Sequence, residues 1–201
     1  MAERSADKIH RLLPPNLWKP SLSELEQLAQ GLLGFSSEGW LRQGGQSTLI
    51  GGQKRGSLAP KLSEEFTVLG EQIDTILAGK SSDAALRAAA FFHLRFENIH
   101  PLREGNGRTG RILMAAQCSR SYQLPIREVI AKLAAHPKDY RQIFTAPRPE
   151  FQFKLLVDLL VQALTLPATE LMGKMPFPLE PYFLDATPIP PAPELAAASR
   201  P

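Results

Sequence analysis

The stretch FENIHPLREGNGRTGR, residues 96–111, joins two apolar segments near the middle of the chain. Residues 84–96 are apolar at nearly every position, and residues 112–119 are mostly apolar too. A segment that is apolar on all sides is typical of a helix that runs through a protein core. The glycines and the proline between the two segments predict a tight connection. We therefore predict two buried helices joined by a short polar loop.

The other patterns along the chain are also mainly helical. Ser21 and Glu24 have the spacing of a capping box, and leucines recur on one helical face up to residue 33. Asp83 is the predicted cap of the apolar helix that begins at Ala84. Further helices are predicted for residues 61–79, 125–134, 137–145 and 150–165.

Residues 35–60 are too rich in glycine for a helix. Within them, residues 47–50 (STLI) lie between two glycine pairs, which predicts a short β-hairpin in an exposed loop. The predicted fold class is therefore all-α, a helical bundle with one short hairpin. We divide the chain into an N-terminal extension (1–20), a helical domain (21–170) and a proline-rich C-terminal tail (171–201).

The composition limits the classes of function. The 201 residues carry 23 basic and 20 acidic side chains, and a net charge of +3 gives no reason to expect a nucleic acid as partner. We predict no membrane span and no secretion signal, and hence a cytoplasmic protein, although export as an effector by another route stays open. The single cysteine, Cys118, excludes an internal disulfide and is expected to be a small buried apolar residue. His93 is expected to be a hydrogen-bonded core residue.

The C-terminal half of the polar loop has the features of a phosphate-binding site. Gly105 and Gly107 flank Asn106 where a helix is predicted to begin. Glycines allow successive N–H groups to converge, and a helix N-terminus adds unpaired N–H groups and a partial positive charge. Arg108 and Arg111 are three residues apart, so they project from one face of that helix and can bind further phosphates. This combination is suited to a nucleotide di- or triphosphate, and no Walker-type motif is present.

Two further residues of the loop suggest chemistry at such a phosphate. Glu104 is the only acid in residues 100–111, and a carboxylate next to phosphates is favoured when a divalent cation such as Mg²⁺ lies between them. His100 has an ordinary pKa of about 6.5, which suits a general base that deprotonates an attacking hydroxyl. Between them, Leu102 is predicted to point inward and Arg103 outward.

With these residues in view, residues 96–111 closely resemble the signature of the Fic family, HPFx[D/E]GNGRxxR with an upstream Phe-x-x-Ile. The segment STLIGG, residues 47–52, followed by Pro60, is similar to the family's hairpin, called the flap. The resemblance extends over about residues 20–165, and the motif carries most of its weight.

The resemblance implies a Fic fold and the transfer of AMP from ATP to a Ser, Thr or Tyr hydroxyl of a target protein. By motif position, His100 would be the general base and Glu104 would hold Mg²⁺. The flap would pair with an extended segment of the target by strand addition. The phosphate-binding residues would be Gly105, Asn106 (also through its side chain), Gly107, Arg108 and Arg111, and the flap residues Ser47, Thr48, Leu49, Ile50 and Gly51.

The chain departs from the family pattern at Leu102, where phenylalanine is usual, and it has Gly107 where the related Doc-like kinases have lysine. Gly107 and Arg111 favour nucleotidyl transfer. The alternatives are another transfer reaction on the same fold (another nucleotide, phosphocholine, phosphorylation or AMP removal) and a binding module without catalysis. Many relatives also carry an inhibitory motif, [S/T]xxxE[G/N]. Only Thr67 and Glu71 have its spacing here, and Gln72 follows them. We therefore hypothesise a separate small inhibitory protein, an antitoxin, that offers a glutamate to Arg111.

Overall fold

Helices make up most of the described chain. The computed structural model of the protein describes residues 8–34, 40–43, 48–50, 53–56, 59–79 and 83–164. Residues 8–12 are helical, and a short 3-10 helix spans Ala59–Lys61. The longer helices are α1 (Leu22–Leu33), α2 (Leu62–Ala78), α3 (Ala84–Ile99), α4 (Asn106–Tyr122), α5 (Ile126–Ala134), α6 (Pro137–Ile143) and α7 (Pro149–Leu164). The predicted all-α class is confirmed, with helix bounds within a few residues of those expected.

The predicted hairpin is present as a minor addition to the bundle. Strand β1 (Thr48–Ile50) pairs antiparallel with β2 (Gln53–Arg55), with Thr48 opposite Arg55 and Ile50 opposite Gln53. Ser47 and Gly51, which the sequence analysis assigned to the flap, lie outside the described residues.

Helix α3 is the centre of the fold. Of its 16 residues 14 are buried, because it has neighbours on all sides. One apolar cluster joins it to α1 and α2, and a second joins it to α4, α5 and α7. Burying a large apolar side chain contributes about 1.5–3 kcal/mol, so these clusters hold α3 in place. The main buried side chains of α3 are Phe91, Phe92 and Phe96 on the first side and Leu86 and Leu94 on the second.

The capping prediction for α1 is confirmed and that for α3 is wrong. Ser21 has an extended backbone (φ −70, ψ 158), and its side chain accepts a hydrogen bond from the Glu24 N–H while Glu24 bonds back to the Ser21 N–H. Asp83 does precede α3, but its backbone (φ −100, ψ 4) does not have the extended conformation of a capping residue. Its side chain consequently makes no cap hydrogen bond, and its Oδ2 is buried without a partner among the described residues.

Part of the predicted N-terminal extension packs against the bundle. Leu17 is 2% exposed and belongs to the first apolar cluster. The side-chain amide of Gln117, on α4, donates a 2.8 Å hydrogen bond to the Leu17 carbonyl. The domain boundaries at residues 20 and 170 stay predictions, and the proline-rich tail lies outside the described residues.

Candidate active site

His100 ends helix α3 in a left-handed conformation (φ 50, ψ 60). A non-glycine residue adopts this conformation at some cost, and its contacts have to hold it there. Its Nδ1 lies 3.3 Å from the Glu97 carbonyl oxygen. Because a carbonyl can only accept, Nδ1 is the protonated nitrogen of the neutral ring, and Nε2 carries the free lone pair. The ring is thus oriented as a general base requires.

The His100 imidazole is neutral at neutral pH. Burial lowers its pKa to about 4, the hydrogen bond to Glu97 opposes this change, and the positive charge of Arg42 adds to it. His100 is only half-buried, so its exposed part can meet a substrate. A neutral, tautomerically fixed imidazole can accept a proton, which is the role predicted for it.

Asn106 closes the loop that follows His100. Its side-chain oxygen accepts a 2.9 Å hydrogen bond from the Leu102 N–H, and its side-chain nitrogen donates a 2.8 Å bond to the Leu102 carbonyl. Leu102 itself is fully buried and Arg103 is exposed, as predicted. The Asn106 side chain therefore fixes the shape of the loop, a role that the sequence analysis did not foresee.

A separate part of the chain runs alongside the same loop. The Arg42 N–H donates a 2.9 Å bond to the Pro101 carbonyl, and the Arg103 N–H donates a 2.8 Å bond to the Trp40 carbonyl. Leu41 and Leu102 form an antiparallel bridge between these two bonds. The Arg42 side chain also donates hydrogen bonds to the carbonyl oxygens of His100 and Ile99. Nothing in the local sequence around Arg42 pointed to these contacts.

Gly105 and the start of α4 lie where the sequence analysis predicted the anion-binding end of a helix. Gly105 precedes α4 in a left-handed conformation (φ 78), and a Cβ there would lie 2.5 Å from a methyl carbon of Leu33. Only glycine fits both restrictions. The first helical hydrogen bond runs from the Thr109 N–H to the Gly105 carbonyl at 2.9 Å, so the earlier N–H groups of the helix point out of its end.

Arg108 and Arg111 lie at one cavity, as their spacing predicted. The cavity measures about 250 Å³ and is otherwise lined by apolar side chains of α1, α4 and α5, namely Leu32, Ile112, Ile130, Leu133 and Ala134. Arg108 is exposed, whereas Arg111 is half-buried. The guanidinium carbon of Arg111 lies 5.1 Å from the centroid of the Tyr140 ring, within the range of a cation–π contact.

Beneath Arg111 lies a buried polar group of His93, Glu97 and Tyr140, of which the sequence analysis anticipated only His93, as a hydrogen-bonded core residue. His93 is fully buried, and its Nε2 lies 2.7 Å from the Tyr140 hydroxyl. Burial and the nearby charge of Arg111 lower the pKa of His93 to about 3. Burial raises the pKa of Glu97 to about 7, against the opposing effect of Arg111. A glutamate three residues before His100, on a mostly buried helix, was the available signal for Glu97, whereas nothing local singled out Tyr140.

Glu104, the predicted metal ligand, is exposed on the loop before α4. Within the described residues it forms no ion pair, so its carboxylate is available to a ligand. In that same part of the chain no group of three or more His, Cys, Asp or Glu is arranged around a metal position. A cation at Glu104 would therefore need most of its ligands from substrate and water, which is the usual way that Mg²⁺ binds at phosphates.

Comparison with known families agrees with this geometry. Residues 20–118 match the model of the Fic/DOC family. This region is a Fic domain. The match includes α1 to α3, the flap, the His100 loop and most of α4, and it ends before α5 and Tyr140. Neither curated proteins nor solved structures give a match to the chain. In the described part of the chain, no helix is long and apolar enough to cross a membrane.

Proposed function

We propose that this Fic protein is a protein adenylyltransferase, which transfers AMP from ATP to a hydroxyl side chain of a target protein. One observation carries the proposal. A neutral His100, with Nδ1 bonded to Glu97 and Nε2 free, lies at one end of a loop whose other end is the N-terminus of α4. A base for the hydroxyl and a binding site for the phosphates are thus joined by one rigid connection.

The α4 end of the loop supplies groups for the triphosphate. The backbone N–H groups that begin at Gly105, Asn106 and Gly107 would hold the phosphates nearest the reaction. Arg108 and Arg111 would hold the outer ones, since a guanidinium can bind phosphate oxygens through two hydrogen bonds. The contact between Arg111 and the Tyr140 ring, at 5.1 Å, would help to orient this arginine toward the phosphates.

The position of Glu104 fits a role in holding Mg²⁺. The carboxylate is exposed, unpaired within the described residues and next to the proposed phosphate site. When bound, Mg²⁺ would neutralise charge on the phosphate oxygens, and Glu104 would supply its protein ligand.

The chain's own residues account for the proton and the leaving group. Nε2 of His100 would take the proton of the target hydroxyl as its oxygen attacks the α-phosphorus. A new oxygen–phosphorus bond forms, the bond from that phosphorus to the β-phosphate oxygen breaks, and pyrophosphate leaves. Arg108 and Arg111 would stabilise the charge that develops on the leaving pyrophosphate.

The flap would present the target hydroxyl to His100. Strand β1 pairs with β2 through one of its edges, and its other edge would accept an extended segment of the target by strand addition. Thr48, Leu49 and Ile50 would contribute the backbone groups for this pairing. The neighbouring residues Ser47 and Gly51 are predicted to extend it.

Labelled ATP tests the proposed chemistry. The protein is incubated with lysate proteins, Mg²⁺ and ATP that carries its label in either the α- or the γ-phosphate. We expect protein-bound label from the α position only, and a mass increase of one AMP. Label from the γ position only would show that the chain is a kinase, and no α label on any protein or on the chain itself would contradict adenylyl transfer.

Two histidine variants make this test specific. His100→Ala is expected to lose at least about 100-fold in rate, the usual contribution of a general base. His10→Ala removes an exposed histidine from the helical segment 8–12 and should keep full activity. Full activity of the His100 variant would contradict the assignment of the base.

Regulation by a separate inhibitory protein stays a proposal. Thr67 and Glu71, which have the spacing of an inhibitory motif, lie on α2 beside Ser21 and Lys19, at a different cavity from that of Arg111. This arrangement supports an inhibitor from outside the described chain. Purification of the protein from its native host should yield a small second protein, and its consistent absence would contradict the idea.

A further inference from the structure

Arg42 joins three parts of the proposed site although it lies outside the motif. It is 4% exposed, and its backbone pairs with the loop at Pro101. Its guanidinium donates one hydrogen bond to the His100 carbonyl and another, of 2.8 Å, to the Ile99 carbonyl. These two carbonyls belong to the last residue of helix α3 and to the residue that caps it, and the helix provides no N–H partners for them.

We propose that Arg42 is a positioning residue, which holds His100 in its left-handed conformation and connects it to the base of the flap. The proposal rests on the proposed function of His100 as the base. Both bonds described above go to backbone carbonyls, so through them Arg42 acts on the backbone of His100 and not on the reacting atoms.

The chemistry of arginine suits this position in two ways. A planar guanidinium has several N–H donors in a fixed arrangement and can therefore satisfy two adjacent carbonyls at once. A positive charge at a helix C-terminus is also favoured by the helix dipole. Lysine would keep the charge but would hold the two carbonyls less rigidly. A neutral residue would leave buried carbonyls unpaired and His100 free to relax from φ 50.

The connection to the flap runs through Gly56, the residue after β2. Gly56 has φ 98, and a Cβ built on it would lie 3.0 Å from a terminal nitrogen of Arg42. The Arg42 guanidinium thus contacts the backbone of Gly56, which lies 14 positions further along the chain at the base of the hairpin. It also contacts the end of α3. The strand proposed to hold the target and the residue proposed to deprotonate it share one support.

The charge of Arg42 provides a readout that does not depend on activity. The positive charge contributes to the low pKa of His100, after burial. NMR titration of His100 in the free protein, without nucleotide, measures this contribution directly. In Arg42→Gln the pKa of His100 should rise from about 4 toward its ordinary value of about 6.5, and in Arg42→Lys it should stay closer to about 4. These results would hold even if the transfer reaction were of another kind.

Kinetics of the same variants measure positioning. We expect Arg42→Gln to lower kcat by about 10- to 100-fold with little change in KM for ATP, because misplacement by about 1 Å can cost 100-fold while the phosphate site is intact. Arg42→Lys should recover part of this loss.

Arg95 offers a matched control. It is 5% exposed, lies on α3 as well, and forms an ion pair with Glu65 at 2.8 Å. Arg95→Gln should lower stability comparably but leave the pKa of His100 and kcat unchanged. Two results would overturn the proposal: an Arg42→Gln protein with an unchanged His100 pKa and kcat, or equal kcat losses in both glutamine variants. If Arg42→Gln does not fold, the comparison of Arg42→Lys with Arg95→Lys decides in the same way.

Discussion

Gly110 offers a quantitative test of how closely α3 and α4 approach each other. It lies inside α4, and a Cβ built on it would be 2.9 Å from the Glu97 carboxylate and 3.0 Å from both the His93 and Phe96 rings. Real Cβ atoms essentially never come closer than 3.0 Å, so the contact with Glu97 is too short and those with the two rings are at the limit. Both rings are fully buried, so neither can move into solvent. Alanine at this position must therefore push the two helices apart or displace the group beneath Arg111.

The expected magnitude follows from two opposing terms. Gly→Ala inside a helix is favourable by about 1 kcal/mol, and overpacking a core costs about 1–3 kcal/mol. Because the added Cβ would be this close to three side chains, we use the upper half of the overpacking range, about 2–3 kcal/mol. We expect Gly110→Ala to lower the free energy of unfolding by about 1–2 kcal/mol, or Tm by about 2–8 °C for a chain of this size.

Gly70→Ala is the matched control, since it makes the same change inside α2. Its Cβ would meet only the side-chain stem of Lys19, at 3.3 Å, and this lysine is partly exposed and can shift. The helix-propensity term should then dominate, and stability should rise by up to about 1 kcal/mol. Urea unfolding of the two variants checks both signs. A Gly110→Ala protein as stable as the wild type would refute the close approach described here.

Four further results are expected. Titration of His100 should leave the kcat/KM of the transfer reaction independent of pH above about 5. Below pH 5, kcat/KM should fall with an apparent pKa of about 4. An inflection near pH 6.5 would instead indicate an exposed imidazole. The buried Glu97 has its pKa raised to about 7 when folded, so its contribution to stability is complete below about 4.5 and is lost as pH rises through 7. The gain in stability from Glu97→Gln should therefore grow between pH 4.5 and 7 by up to about 1.4 kcal/mol per pH unit, and urea unfolding curves that shift in parallel at pH 5 and 7 would contradict it. The pH dependence of stability that comes from His93 has the opposite direction, because burial lowers its pKa to about 3. Its contribution to stability is complete above about pH 6.5 and is lost as pH falls toward 3. A His93→Gln protein should therefore lose less stability in acid than the wild type. Finally, Asn106→Ala leaves the Leu102 N–H and carbonyl without their buried partners. This should lower the free energy of unfolding by about 2–4 kcal/mol and abolish transfer. Unchanged thermal unfolding would show that the loop is held by other contacts.

The residues of the motif and most of the helices could be predicted from the sequence because the forces that specify them are local. The Ser21 cap depends on a partner three residues away, and Gly105 is required by the conformation of its own backbone. Leu102 faces inward and Arg103 outward because burial is favourable for an apolar side chain and costly for its charged neighbour. Even so, the failed cap at Asp83 shows that residue type alone does not fix the backbone angles on which a cap depends.

Only the tertiary structure decided which distant residues support the site. Arg42 is 58 positions from the His100 carbonyl that it bonds, and Tyr140 is 47 positions from His93. Such pairs form when the helices around α3 bury their apolar faces. The sequence pattern of either segment alone does not predict which residue of the other it will contact. The pKa values of His93 and Glu97 depend on the same packing, since burial is their largest cause. The sequence by itself therefore determined which residues the site is built from, whereas packing determined how they are oriented, charged and held, because burial and long-range hydrogen bonds exist only after the chain has folded.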